Sequence, residues 1–193
     1  MLPNNKGFKF FAFLIVIVFL LCAIPTQSVQ ALDIIYRVTP TGATSGTCGD
    51  TWSNPCALQY AITLAGTGDQ IWAAAGTYYP TTGTDRTISF NLKSGLAIYG
   101  GFAGTETELS QRDPVTNVTT LSGDIGTIGD TSDNSYHVVY AANVNNAAIL
   151  DGFTITVGNA NGINPYDRGG GIYNTYSSPS LNNITVSNNS CVY

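Results

Sequence analysis

The sequence is short of charge, and of basic residues in particular. Charged side chains make up 10% of its 193 residues, with seven basic against twelve acidic residues and one histidine. Nucleic acids and acidic lipids or glycans are held mainly by Lys and Arg, so a net charge of −5 argues against them as electrostatic partners. Disordered chains combine high charge with few aromatics, whereas this chain has eleven Tyr and eight Phe. We therefore expect a folded protein that does not bind nucleic acid.

The residues that are abundant favour strands and turns. Twenty-one glycines accompany many Thr, Asn and Tyr residues. Thr and Tyr suit strands, while Gly and Asn tolerate the positive φ angles of tight corners. This composition predicts a β-rich chain and argues against a helical protein.

The N-terminus has the pattern of an export signal. Lys6 and Lys9 precede an apolar run over residues 10–24, and small residues at 29–31 provide a cleavage site. The apolar run is shorter than the roughly 20 residues that cross a bilayer. We predict a cleaved signal peptide at residues 1–31 and hence an extracellular or cell-surface protein. An uncleaved membrane anchor is the alternative.

Three of the four cysteines lie outside this segment. Cys22 would leave with the signal, and the Leu-Leu pair before it does not favour lipid attachment. Cys48 and Cys56 flank a turn-rich loop, which predicts a disulfide in an exported protein. A metal site there is the weaker alternative, because no other soft ligand is near. Cys191 is left as a free thiol or as the partner of a cysteine beyond the end of the sequence.

A near-repeat organises the second half of the chain. Residues 149–156 align with residues 180–187, and both copies alternate apolar and small polar residues before a Gly or Asn corner. An offset of about 31 residues falls in the range of stacked repeat units. The pattern predicts short strands on successive coils, with Asn residues stacked between the coils.

The first half contains one helical pattern. Leu58, Ile62 and Ala65 lie on one helical face before two glycines, which predicts a short amphipathic helix that caps a stack of strands. We expect protruding loops at residues 81–89 and 103–118. The expected markers of successive coils are Gln70, Leu96, Thr120, Ile149 and Leu181.

These segments resemble those of a known family. The resemblance is carried by residues 55–62, 68–71, 74–78, 150–155, 169–174 and 178–181. They are similar to the N-terminal cap and coils of bacterial right-handed parallel β-helix proteins of the pectin-lyase-like fold, including those akin to polymorphic outer-membrane proteins. The resemblance implies an all-β solenoid with a short N-terminal capping helix. Residues 32–68 would form the cap and residues 69–193 the coils.

The ending departs from that family. Family members carry more coils and then an anchoring or secretion segment, whereas this sequence stops at residues 191–193, directly after a predicted strand. We therefore expect a fragment truncated at the C-terminus. Membrane attachment would come only through the signal or through a missing C-terminal anchor.

Acidic residues are the candidates for catalysis that the resemblance implies. Pectin-lyase-like lyases gather Asp around calcium and use a basic residue to abstract a proton, and related hydrolases pair carboxylates. The candidate site here is Asp124, Asp151, Asp167 and Arg168, with Asp130 and Asp133 nearby and calcium as cofactor under this alternative alone. The opposing interpretation assigns them to turns and surface, because Asp151 aligns with an Asn in the next repeat and Asp167 can pair with Arg168.

The histidine and the aromatics are the remaining candidates. His137 begins an apolar strand and no Ser or Cys marks a triad with it, so we expect a structural role. A glycan-stacking surface is one interpretation of the aromatic residues, and coverage of corners and core is the other. These residues are Tyr78, Tyr79, Tyr99, Phe102, Tyr173 and Tyr176.

Two functions therefore compete. The first is a non-catalytic secreted or cell-surface β-helix protein that serves in adhesion, glycan contact or structural display and needs no cofactor. The second is a carbohydrate-active enzyme, either a polysaccharide lyase or a glycoside hydrolase. A cluster of Asp with a nearby Lys or Arg on successive coils would favour the enzyme.

Overall fold

Parallel strands make up most of the regular structure. The computed structural model describes residues 33–193, so the predicted signal peptide at residues 1–31, together with Cys22, lies outside the described residues. The described elements are β1 (Ile35–Ala43), α1 (Leu58–Leu64), β2 (Gln70–Ala74), β3 (Gly76–Tyr78), β4 (Phe90–Asn91), β5 (Ala97–Phe102), β6 (Thr119–Ser122), β7 (Val139–Ala142), β8 (Ile149–Asp151), β9 (Thr154–Thr156), β10 (Asn159–Ala160), β11 (Ile172–Thr175), β12 (Ser180–Asn182), β13 (Thr185–Ser187) and β14 (Ser190–Cys191).

The strands form four sheets, and each sheet takes its strands from well-separated parts of the chain. The orders are β1-β2-β5-β8-β12 (sheet A), β3-β6-β9-β13 (sheet B), β4-β7-β11 (sheet C) and β10-β14 (sheet D). All of these pairs are parallel. The prediction of a largely β-structured chain with one short helix is confirmed for the described residues.

The repeat predicted from the sequence sets the register of sheets A and B. Leu150 pairs with Leu181 in sheet A, and Ile155 pairs with Val186 in sheet B. The corner between the two strands of each copy also repeats. Gly152 (φ 85°) occupies it in the first copy and Asn183 (φ 49°) in the second. Gly and Asn are the residues that adopt this left-handed conformation at least cost.

One predicted coil marker is wrong. Thr120 lies in sheet B between Thr77 and Thr154, whereas residues near the other four markers pair in sheet A. Between Ala97 and Ile149 the chain therefore leaves sheet A and returns to it once, and Thr120 does not mark a separate strand of that sheet. The prediction was wrong because β5 and β6 show the same short apolar pattern and a long segment follows each of them. Their spacing therefore resembles that of two strands in one sheet.

Inward side chains stack in columns along the sheets. In sheet A the column is Ile71, Ile98, Leu150 and Leu181, and in sheet B it is Tyr78, Leu121, Ile155 and Val186. The first three members of each column are at most 3% exposed. Full burial of one such apolar side chain contributes roughly 1.5–3 kcal/mol. The buried members of the columns therefore each stabilise the packing of neighbouring strands.

The predicted helix is present and packs against this core. Helix α1 buries Leu58, Ala61 and Ile62. The Lys93 ammonium group donates to the carbonyl oxygens of Ile62 and Ala65 at the end of the helix. A cation is favourable there because the last carbonyls carry the negative end of the helix dipole. No helix within residues 33–193 is long and apolar enough to cross a membrane.

The predicted disulfide is also present. Cys48 and Cys56 are bonded, with a Cα–Cα distance of 5.1 Å. Cys56 is fully buried beside β1, where it pairs in parallel with Val38 and Ala43. Cys191 is exposed and has no disulfide partner among the described residues.

Candidate functional site

Asp151 is the one predicted site residue that joins a larger polar group. It closes β8 and is 9% exposed. One carboxylate oxygen accepts a hydrogen bond from Arg112 Nη2 at 2.8 Å, and the other accepts one from Asn183 Nδ2 at 2.9 Å. Both carboxylate oxygens thus accept a side-chain hydrogen bond, and the ion pair joins the end of β8 to the segment after β5.

The segment after β5 brings Arg112 to this position. Residues 103–118 leave sheet A and return to sheet B, and Arg112 follows a 3₁₀ turn at Leu109–Gln111. Arg112 Nη1 donates to the Gly100 carbonyl at 3.1 Å, and its guanidinium carbon lies 5.2 Å from the Tyr99 ring centre. A Cβ at Gly100 would lie 2.4 Å from the Gly152 carbonyl oxygen, so the close approach of β5 to the corner between β8 and β9 requires glycine.

A cleft of about 580 Å³ opens beside this ion pair. It lies between residues 109–115 and the start of β13. We call it the Arg112 cleft, and its lining consists of Leu109, Ser110, Arg112, Pro114, Val115, Asn183, Ile184 and Thr185. The lining mixes hydroxyl, amide and apolar surface, and its one charged side chain is neutralised by Asp151. Such a surface can bind a polar ligand that also has apolar faces.

The other predicted site residues have local roles. Asp124 accepts a hydrogen bond from the backbone N–H of Gly129 at 2.9 Å, which closes a turn. Asp167 pairs with the adjacent Arg168 at 2.8 Å, and hydrogen bonding from Arg168 lowers the pKa of the carboxyl. In the structure described here, Asp124, Asp151 and Asp167 are not joined to one another by any hydrogen bond or ion pair.

The nearby acidic residues also serve turns. Asp130 accepts from the backbone N–H of Ser132, and Asp133 from that of Thr127. Across residues 33–193, no three His, Cys, Asp or Glu side chains are arranged to hold a metal ion. The acidic residues thus show the contacts expected of turn formers.

His137 lies inside an aromatic stack. Its ring centre is 4.7 Å from that of Tyr173 and 5.6 Å from that of Tyr166. The residue is 1% exposed, and Nδ1 lies 3.2 Å from the Gly169 carbonyl oxygen. Burial lowers the pKa of His137, while the Gly169 carbonyl and the Asp167 charge act in the opposite direction. This environment fits a packed, neutral histidine.

The aromatic residues proposed for glycan stacking do not form one surface. Tyr78 and Phe102 are 3% and 0% exposed, so for these two the interpretation as core residues is confirmed. Tyr78 points into the core of sheet B and donates its hydroxyl hydrogen bond to backbone carbonyls, and Phe102 stacks on Trp72 at 4.8 Å. Side chains alternate between the faces of a strand, which explains why adjacent Tyr79 is 41% exposed while Tyr78 is buried.

Sequence reasoning missed Arg112. Removal of Lys6 and Lys9 from the seven basic residues leaves five, namely Arg37, Arg86, Lys93, Arg112 and Arg168. Because the chain has so few basic residues, each of these five is a candidate for an ion pair with an acidic residue. The partner of Arg112 lies 39 residues away in sequence, however, so no local pattern identifies the pair.

The search for similar proteins gave no assignment. Neither the protein-family models nor the curated proteins nor the solved structures contain a match to this chain.

Proposed function

We propose that this chain belongs to a right-handed parallel β-helix that acts outside the cell or on its surface as a non-catalytic scaffold for glycan contact. The observation that carries the proposal is that strands follow one another in chain order in both sheet A and sheet B. Strands β2, β5, β8 and β12 follow one another in sheet A, and β3, β6, β9 and β13 follow one another in sheet B. Parallel crossovers are right-handed in about 98% of cases, which supports the handedness.

The disulfide supports an exported location. Bonds such as Cys48–Cys56 persist in oxidising compartments and are rare in the cytosol. The signal-like pattern of residues 1–31 agrees with this. Expression of the full chain in a bacterium, followed by N-terminal sequencing of the exported product, tests the location. A new N-terminus at Leu32 supports export, and retention of an uncleaved chain in the cytosol contradicts it.

The Arg112 cleft supports binding in preference to catalysis. Acid–base hydrolysis needs one carboxyl that protonates the leaving group and a second that activates water or attacks. The lining of the Arg112 cleft contains no carboxyl group, and the neighbouring Asp151 is paired with Arg112. The hydroxyl, amide and apolar lining suits a sugar ring, which carries hydroxyl groups around apolar C–H faces.

Binding measurements on residues 33–193 test this part of the proposal. We expect oligosaccharides to bind in calorimetric titrations and the Val115→Glu variant to weaken binding, because Val115 lines the cleft and is 87% exposed. Val118→Glu is the matched control, since Val118 belongs to the same loop, is 49% exposed and does not line the cleft. Equal affinities of the two variants would remove the cleft from the proposal.

The same protein can be tested for catalysis. Incubation with an acidic polysaccharide and calcium should leave the chain length of the polymer unchanged. Release of unsaturated or reducing sugar ends would overturn the non-catalytic proposal in favour of a lyase or a hydrolase.

A further inference from the structure

A second cleft lies near the disulfide and shares no lining residue with the Arg112 cleft. It has a volume of about 410 Å³, within the range of roughly 300–1,000 Å³ that is typical of small-ligand sites. We call it the tyrosine cleft. Its lining consists of Pro40, Gly42, Thr44, Ala57, Gln59, Tyr60, Thr63, Tyr79, Pro80, Thr81 and Thr82. None of these residues is charged, although the whole chain carries a net charge of −5.

Two walls of the tyrosine cleft are fixed to each other. The backbone N–H of Ala57 donates to the Ala43 carbonyl at 2.8 Å, which joins the end of β1 to the start of α1. The Cys48–Cys56 disulfide closes the intervening loop. At Gly42, an added Cβ would lie 2.1 Å from the Cys56 carbonyl oxygen. The cleft is therefore formed before any ligand arrives, which lowers the entropic cost of binding.

The polar groups of this cleft are neutral donors and acceptors. Thr44 and Thr82 are exposed and present hydroxyl groups, whereas the hydroxyl of exposed Thr63 donates to the Tyr60 carbonyl at 2.7 Å and keeps only its acceptor capacity. Gln59 is anchored, because its Nε2 donates to the Ser89 carbonyl at 3.0 Å. The Gln59 Oε1 is buried and has no hydrogen-bond partner among the described residues. Because that oxygen is closed off from solvent, the neutral hydrogen-bonding groups that a ligand meets in the cleft are the threonine hydroxyls.

The tyrosine rings add flat apolar surface. Tyr60 is held in place by a hydrogen bond from its hydroxyl to the Gly46 carbonyl at 3.0 Å. Tyr79 is 41% exposed beside the buried Pro80. Tyrosine combines a large apolar face with a polar hydroxyl and loses little conformational entropy on binding. The two tyrosines thus complement a ligand with both apolar faces and hydroxyl groups.

We propose that the tyrosine cleft binds a neutral sugar, as a monosaccharide or the end of an oligosaccharide. A carboxylate, phosphate or ammonium group would lose its hydration there without gaining an opposite charge, which disfavours charged ligands. A proline-rich peptide would use the tyrosines and prolines but would leave most of the threonine hydroxyls without a role. The inference extends the proposed glycan contact to a second site, and its outcome is separate from that of the Arg112 cleft.

Calorimetric titration of residues 33–193 tests the inference. The probes are neutral gluco-, galacto- and manno-oligosaccharides, a uronate oligosaccharide and a proline-rich peptide. We expect at least one neutral oligosaccharide to bind, and neither the uronate nor the peptide to compete for the same site. Tyr79→Ala should weaken binding at least tenfold, and Tyr79→Trp should retain it. Tyr176→Ala is the matched control, because Tyr176 is 91% exposed and does not line the cleft.

Each other outcome overturns the inference. Failure of every neutral probe to bind does so, as does equal affinity in Tyr79→Ala and Tyr176→Ala. Sugar binding that is lost in Val115→Glu and unchanged in Tyr79→Ala would assign the sugar to the Arg112 cleft, and the proposed function would then survive without the tyrosine cleft. A thermal melt of Tyr79→Ala that matches the unmodified chain establishes that lost affinity does not reflect unfolding.

Discussion

Replacement of Arg112 by methionine tests the contact on which the Arg112 cleft depends. Methionine keeps an unbranched apolar stem but removes the hydrogen bonds to Asp151 Oδ2 at 2.8 Å and to the Gly100 carbonyl at 3.1 Å. The Asp151 carboxylate would retain Asn183 as its remaining side-chain donor. The variant therefore leaves a nearly buried charge without its counter-ion.

The expected cost follows from the burial of the pair. The side chains of Arg112 and Asp151 are 15% and 12% exposed. Removal of one partner costs about 3–5 kcal/mol for a fully buried pair, and an exposed pair contributes about 0–1 kcal/mol. Because Asn183 still donates to the carboxylate, we expect a loss near the lower buried limit, about 3 kcal/mol. For a domain of this size, that loss lowers the melting temperature by about 6–12 °C.

Urea denaturation of a double-mutant cycle measures this cost. Arg112→Met, Asp151→Asn and the double variant should show a coupling free energy of about 2 kcal/mol, because loss of the arginine matters less once the carboxylate is gone. Arg168→Met is the matched control and should cost far less, since the Arg168 side chain in the adjacent-residue pair is 48% exposed. A loss below about 1 kcal/mol for Arg112→Met would refute the idea that this ion pair fastens residues 103–118 to the sheets.

Three further predictions concern stability. Removal of the disulfide by replacement of both Cys48 and Cys56 with Ala should lower the free energy of unfolding by about 2–3 kcal/mol, measured against urea, because the bond closes a short loop. Burial lowers the pKa of His137, so the folded state favours the neutral imidazole more than the unfolded state does. The stability that this provides is fully present above about pH 6.5 and is lost as the pH falls below that value, because the unfolded chain takes up the proton more readily. The urea midpoint should therefore fall when the pH is lowered from 7.5 to 5.5. The His137→Phe variant should show a smaller fall over the same range. Val157 has φ 55°, a conformation that strains a β-branched residue, and the equivalent corner residue of the next pass, Asn188, also has φ 55°. Val157→Asn should therefore raise the free energy of unfolding by about 1 kcal/mol and with it the melting temperature, and a lower melting temperature would contradict the assignment of strain.

Regular patterns in the sequence predicted the fold features that recur over short distances. The alternation around Leu150 and its repeat at Leu181 predicted the strands and their register, because side chains alternate between faces with a period of two residues. The spacing of Leu58 and Ile62 predicted the helix for the equivalent reason. Thr120 was assigned to the wrong sheet, since a strand pattern does not reveal which of several sheets the strand joins.

The candidate site was predicted only in part. Asp151 was singled out, but its partners Arg112 and Asn183 were not, and the predicted companions Asp124 and Asp167 have separate contacts. The resemblance to enzymes with clustered aspartates drew attention to carboxylates, whereas the contacts of this chain depend on a guanidinium from a long insertion.

The sequence by itself determined the strand-rich class, the short helix, the disulfide and the 31-residue register between Leu150 and Leu181. These features depend on composition, spacing and short loops, which are local properties of a chain. Only the tertiary structure decided that Arg112 meets Asp151 and that Tyr60 and Tyr79 share a cleft. Arg112 and Asp151 are 39 residues apart, and their contact depends on how the insertion at residues 103–118 returns to the sheets. Tyr60 and Tyr79 come from different elements, helix α1 and the segment after β3, which meet only in the folded chain. No periodic pattern encodes that return path, because it is set by the packing of the whole chain.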